Sequence, residues 1–255
     1  MIALIRADML KLVRRRGLMI AAIVIVIGLP VIVLAVRAIG HAADPGTFDA
    51  YGGGDGYDVI RGVLGFGLFV TTILLGGVAG STDESRGVFR DLVATGVSRR
   101  RVALARIPAV IAVIVPLPLV TFLIALTVGS LAGGPGPMPS AGALLRDGFD
   151  LVVAIGTYTA IAVGLSSLTG SLSISLTVLF MWFLIIEPIL TNLSFLGDSR
   201  RFLISPAQTA ITRPSGRMEG AEVFGLSVAG GALILAAWIA VFVASGVWRV
   251  TNRDA

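Results

Sequence analysis

Residues Leu151–Ile186 read LVVAIGTYTAIAVGLSSLTGSLSISLTVLFMWFLII, 36 residues without a charge. About 20 apolar residues cross the hydrocarbon core of a bilayer, so this run is too long for one crossing. Its middle, Thr169-Gly-Ser-Leu-Ser-Ile-Ser175, is small and polar and predicts a tight hairpin joining two spans. Working outward, Ile107 to about Ala132 is a further apolar run, ending before Gly133-Gly-Pro-Gly-Pro137, and Gly62–Thr82, Gly17–Val36 and Val223–Trp248 are three more. The expectation is an all-α integral membrane domain over 1–255, with spans at about 17–39, 59–80, 107–132, 149–168, 172–190 and 223–248.

Composition agrees. The 255 residues are 56% hydrophobic and 14% charged, against about 25% charged in soluble domains, and the mean hydropathy is +0.95. Cys is absent, which excludes disulfides, thiolate metal sites and cysteine nucleophiles. The single His, His41, cannot build a poly-His metal centre, and in an outer loop beside Asp44 it reads as solvated rather than as a catalytic base. No Gly-x-Ser-x-Gly occurs. Asp55 and Asp58 lie in Gly52-Gly-Gly-Asp-Gly-Tyr-Asp58, which reads as a flexible outer turn rather than a metal site. No Gly-x-x-x-x-Gly-Lys-Ser/Thr is present, and the sole Lys is Lys11, so the chain holds no nucleotide through a P-loop. Enzymatic readings are therefore unsupported. In a membrane protein a pI near 10.6 bears on sidedness rather than on nucleic acid.

An even number of spans puts both termini on one side. The segments on that side carry 13 Arg and Lys against 7 on the other, where the first loop is acidic with Asp44, Asp49, Asp55 and Asp58. Both termini are expected in the cytoplasm. The first apolar run, 20 residues from Gly17, exceeds the usual h-region of a cleaved signal and favours a retained helix. Before it, residues 1–16 can form a helix with Ile2, Ile5, Met9, Leu12 and Val13 on one arc and Lys11, Arg14 and Arg15 across from it. Such a helix lies in the membrane interface, and the same residues serve equally as a positive-inside flank.

The segment Ser81–Arg106 is the most informative outside the spans. Ser81 and Glu84 fit a capping box, a short helix reaches about Ala94, and Gly96 can stop it in a left-handed turn. Ser98 can cap the next helix through Arg99-Arg100-Arg101, giving a charged cytoplasmic two-helix elbow. On the other side, the long segment 191–222 contains the mostly apolar Phe202–Ile211, in which Ser205, Pro206 and Gln208 fit an N-cap, Pro at N1 and a capping-box Gln. Glu187 is the one charge well inside a span and is followed by Pro188, which predicts a kink near the outer end. An intramembrane carboxylate is a functional candidate, although Glu187 could simply help end the helix. Gly76 and Gly80 have the spacing that lets helices approach closely.

The stretch Asp83-Glu-Ser-Arg-Gly-Val-Phe-Arg-Asp-Leu-Val-Ala-Thr-Gly-Val-Ser-Arg-Arg-Arg-Val-Ala-Leu-Ala-Arg106 resembles the loop after the second span of ABC-2 type transporter permeases. There a Glu is followed three residues on by Gly, then by Leu, a Thr-Pro-like turn, a Ser-Arg and a basic residue opening the third span. Glu84, Gly87, Leu92, Thr95, Ser98, Arg99 and Arg106 match those places, and Gly96 stands where many members have Pro. The outline of the chain is similar too: a basic N-terminal helix, six spans and a long outer segment before the sixth.

The resemblance implies a permease subunit of a bacterial ATP-binding cassette exporter in the cytoplasmic membrane, without its own cofactor. Two separate ATP-binding subunits, holding ATP and Mg, and a second permease copy or relative would be its partners. Asp83, Glu84, Arg86, Gly87, Arg90, Asp91 and Leu92 would form the coupling helix, with Thr95, Gly96, Ser98 and Arg99 as its elbow. Glu187, Pro188, Phe202, Pro206 and Gln208 would line or gate the outer end. The substrate is not readable. The alternatives are a membrane assembly protein that recruits a cytoplasmic partner through 81–106, and a secondary transporter.

Overall fold

The computed structural model describes residues 1–48, 50–85, 98–132, 134, 136–212 and 224–252, with the backbone alone at 82–85. Among the described residues every regular element is helical. They are α1 (Ile2–Val13), α2 (Arg16–Ala43), α3 (Gly53–Ser85), α4 (Arg99–Leu131), α5 (Ala141–Thr169), α6 (Leu172–Asn192), a 3-10 segment (Ser194–Phe202), α7 (Ile204–Thr212) and α8 (Val228–Asn252). Six of these, α2 to α6 and α8, are long and apolar enough to cross a membrane. That is the expected all-α, multi-pass architecture.

The local chemistry of the chain sets the breaks between helices. Ser140 and Ser171 cap α5 and α6, their hydroxyls accepting from the amides of Ala143 (3.3 Å) and Ile174 (3.5 Å). Between α5 and α6 only Gly170 turns the chain, at φ +67°, a left-handed helix end that glycine adopts without strain. Pro116 has no amide to offer the preceding turn, and α4 breaks there into Arg99–Ile114 and Pro116–Leu131. Pi-helical turns at Val24–Gly28 and Trp182–Ile186 interrupt α2 and α6.

Helix α5 is the hub of the bundle. It packs against α3 and α8 along most of its length, and also against α4, α6 and α7. One core joins Leu64, Leu68, Leu75 and Val78 of α3 to Val110 and Ile114 of α4, with Ile155 and Val163 of α5. A second joins Ile73, Ile161, Leu165, Leu179, Ile204 and Leu235 around the other side of α5. Helix α1 lies against the start of α4. Only part of its expected apolar arc faces inward: Met9 and Leu12 join the core, whereas Ile2 and Val13 are exposed.

Two local expectations are corrected. Ser81 is not an N-cap, because α3 runs unbroken past it to Ser85 and its hydroxyl donates to the Gly77 carbonyl (2.8 Å) within the same helix. Buried at 4% exposure, Ser81 Oγ finds its acceptor in the preceding turn. The Gly52–Asp58 stretch is not a free turn either. Its residues from Gly53 begin α3, with Asp55 in the first turn, where a carboxylate suits the helix dipole. Segment 136–137 lies directly over that helix start, and Gly54 N donates to Gly136 O (3.2 Å). At 33 residues α3 is about 50 Å long, well beyond the roughly 30 Å of a bilayer core.

Candidate functional site

Polar side chains gather at the two ends of the bundle. At the end holding α1 and the last turn of α8, the Arg106 side chain is 1% exposed. It enters from α4 and donates through Nη1 to the Gly80 carbonyl of α3 (2.9 Å) and to Ser167 Oγ of α5 (3.4 Å). Ser167 Oγ in turn approaches the same Gly80 carbonyl (3.4 Å). Arg249 of α8 donates to the carbonyls of Ser167 (3.2 Å) and Leu168. The final carbonyls of a helix have no partner within it and carry the negative end of its dipole, so a guanidinium there closes α5 and ties α8 to it. Arg99 Nη1 meets the Thr251 carbonyl (3.4 Å), linking α4 to α8. Asp8, Lys11 and Leu12 of α1 and Arg15, just before α2, line a small pocket with Arg106 and with Val78 and Ala79 of α3. The helix ends on either side of residues 86–97 are thus clamped to each other and to α1, α5 and α8.

At the far end the centre is Glu187, also 1% exposed. Its Oε1 accepts the Ser205 amide at 2.6 Å, so a carboxylate from α6 caps the first turn of α7. A charged acceptor at a helix start satisfies an orphan amide and meets the positive end of the dipole. Ser205, the expected N-cap, instead lies inside the first turn, because α7 begins at Ile204. Gln208 does not close a capping box either: its Nε2 reaches across to Asp150 Oδ1 of α5 (3.4 Å). Pro206 is a buried residue of the first turn of α7. Pro188 follows the pi-helical turn Trp182–Ile186, which delivers the Glu187 amide to the Trp182 carbonyl. Around this point Tyr158 meets Phe183 edge-on (5.0 Å) and Phe69 likewise (5.3 Å), and Trp182 stacks at an angle on Trp238 (5.8 Å). Phe202 is exposed, and its carbonyl accepts the Trp238 indole N–H (2.9 Å). Nearby, Asp147 of α5 receives Tyr57 OH (3.1 Å) and Arg61 Nη1 (3.2 Å) from α3.

The remaining sequence candidates fall as follows. Asp83 and Glu84 lie in the last turn of α3. Arg86, Gly87, Arg90, Asp91, Leu92, Thr95 and Gly96 lie outside the described residues. Ser98 stands at the N-cap position of α4 with extended backbone, its hydroxyl making no cap bond. Sequence reasoning missed Asp150, Tyr158 and Trp182. Asp150 bounds the long uncharged run, and that was its only signal. Among the described residues no group of three or more His, Asp or Glu could hold a metal. No protein-family model matches the chain, and no curated protein matches it.

If Glu187 caps α7, Glu187→Ala removes about 1–2 kcal/mol of local stability. Amide exchange over 204–212 should then speed up by roughly 5- to 30-fold, with exchange in α3 unchanged. Equal protection in both proteins would remove Glu187 from this role.

Proposed function

We propose that the chain is the permease subunit of an ATP-driven exporter, worked by separate ATP-binding subunits docked on residues 82–97 at the cytoplasmic face. The observation that carries this reading is the Arg106 clamp. A loop that receives a push must pass it to helices rather than flex. Here its flanking ends are joined by Arg106 to α3 and α5, by Arg249 from α8 to α5, and are covered by α1. The motif from Glu84 to Arg106 supplies the resemblance, and no P-loop occurs within residues 1–255. In this reading α1 lies in the cytoplasmic interface, both termini are cytoplasmic, and a second permease completes the path. Glu187 and α7 stand at its outer end.

Purification in mild detergent from the native membrane should bring down a stoichiometric partner bearing a P-loop. Charge reversal at Glu84 or Arg90 should leave the subunit in the membrane but uncouple ATP hydrolysis from transport. A chain that purifies alone across several mild detergents, or normal transport by both variants, counts against the proposal.

A further inference from the structure

The outer half of α4 does not close against α5. Its inner half, Arg99–Ile114, packs on α5, but beyond the break at Pro116 the stretch Pro116–Leu131 packs mainly on α3. The wedge left between α4 and α5 is a cavity of about 220 Å³ with an apolar lining, from Val115 to Leu126 on one wall and from Leu144 to Ile155 on the other. Leu119 and Val152 line it and are each more than half exposed, so it opens sideways, away from the bundle. Gly148 widens the α5 wall, since a Cβ there would meet nothing within 4 Å. Each wall runs about 16 Å along its helix, roughly half the hydrocarbon core of a bilayer. At one end Asp147, next to Gly148, accepts from Arg61 (3.2 Å) and Tyr57 (3.1 Å). From Leu151 onward α5 carries no charge. The groove thus descends from the charged boundary farthest from α1 toward the middle of the membrane.

We propose that this groove binds one acyl chain of a glycerophospholipid from the leaflet on that side, held as a resident lipid. Water needs about two to four polar partners, and the lining supplies none. An apolar cavity of roughly 150 Å³ already stays dry and takes up benzene, so the space here suits part of a hydrocarbon chain. Left empty, it would forfeit dispersion contacts along both walls. A helix from a second copy is about 10 Å across, and 16 Å of it fills on the order of 1,000 Å³, several times the space available. A single extended chain matches the groove in length, in chemistry and in its depth across half the membrane. The assignment needs only that α4 and α5 cross a membrane, and it stands apart from the exporter reading.

The test uses the full chain in nanodiscs containing a phosphatidylcholine that carries a diazirine at mid-chain, with cross-linked residues mapped by peptide mass spectrometry after illumination. The expected result is labelling concentrated at Leu119, Phe122, Leu151 and Val152, well above that at Leu233 and Val241, which are exposed on α8 outside the groove. Gly148→Phe places a ring in the groove without meeting the protein at its Cβ. It should cut labelling at Leu119 and Val152 at least about fivefold. Labelling at Leu233 and Val241 should stay as in the parent, which also reports that the variant is folded. Labelling no stronger in the groove than on α8, or unchanged in Gly148→Phe, overturns the assignment. Because the chain has no Cys, Leu119→Cys gives an independent reading. It should stay monomeric on oxidation in the native membrane, and a disulfide-linked dimer would overturn the assignment by giving the groove to a second copy.

Discussion

Gly164→Leu should largely abolish the folded, monodisperse form of the protein in detergent. Gly164 lies five residues before the end of α5, where α8 crosses it backbone to backbone. A Cβ at Gly164 would stand 2.5 Å from the Phe242 carbonyl oxygen and 2.9 Å from Val243 N, and a Cβ at Gly246 would stand 2.6 Å from the Gly164 oxygen. The obstructing atoms belong to helix backbone, so no side chain can swing aside, and the two helices must separate along their contact. Overpacking of a close interface costs roughly 3 kcal/mol or more. The loss falls on the hub of the bundle, because α5 also holds α3, α4, α6 and α7. Helix association in lipid depends on such close approach, since apolar burial gives little preference for protein over lipid. Gly156→Leu on the same helix is the control, as a Cβ there meets nothing within 4 Å. Thermal melting of the tagged protein by size-exclusion chromatography should show Gly164→Leu collapsed and Gly156→Leu close to the parent. Similar profiles for the two would show that the crossing is not where the bundle is held.

These contacts explain why the sequence was legible in part. Spans are written locally, as runs of apolar residues bounded by charge, and Leu151–Ile186 announced two of them with a hairpin between. The pair Gly76 and Gly80 was visible because both residues lie on one helix at small-xxx-small spacing. They do face α5, with Gly76 against Ala162 and Gly80 against Ser166 and Val163. Gly164 and Gly246 were not visible, since neither has a second glycine four residues away on its own helix and only the three-dimensional crossing makes them partners. The same distinction holds at the outer end. Glu187 stood out as a charge inside an apolar run, but the amide it caps is 18 residues further on, supplied by the backbone of Ser205. A backbone donor leaves no mark in a sequence. Local capping logic assigned that helix start to Ser205 itself and failed because a stronger, charged acceptor from α6 was in place. At Ser81 the same logic failed because a buried hydroxyl in a continuing helix turns back to its own preceding carbonyl.

Arg106 allows structure and transmission to be separated. Arg106→Ala removes the hydrogen bonds of a charged donor to Gly80 and Ser167 and opens a cavity among α1, α3, α4 and α5, a loss of roughly 3–5 kcal/mol. The melting temperature and the yield of folded protein should fall together. Arg106→Met behaves differently. It nearly preserves the buried volume and so avoids the cavity that alanine leaves. The Gly80 carbonyl is not orphaned by the change, because α3 continues a full turn beyond it to Ser85. Arg106→Met should therefore be destabilised less than Arg106→Ala, yet it lacks the guanidinium that joins Gly80 of α3 to Ser167 of α5. If motion of residues 82–97 reaches the bundle through that joint, the methionine variant keeps its partner ATPase bound but loses the coupling of hydrolysis to transport. Lysine restores the charge with a compact donor that lacks the planar fork of the guanidinium, so Arg106→Lys should fall between the two. Full coupling in the methionine variant would mean that apolar packing of α3 against α4 and α5 carries the motion without the guanidinium.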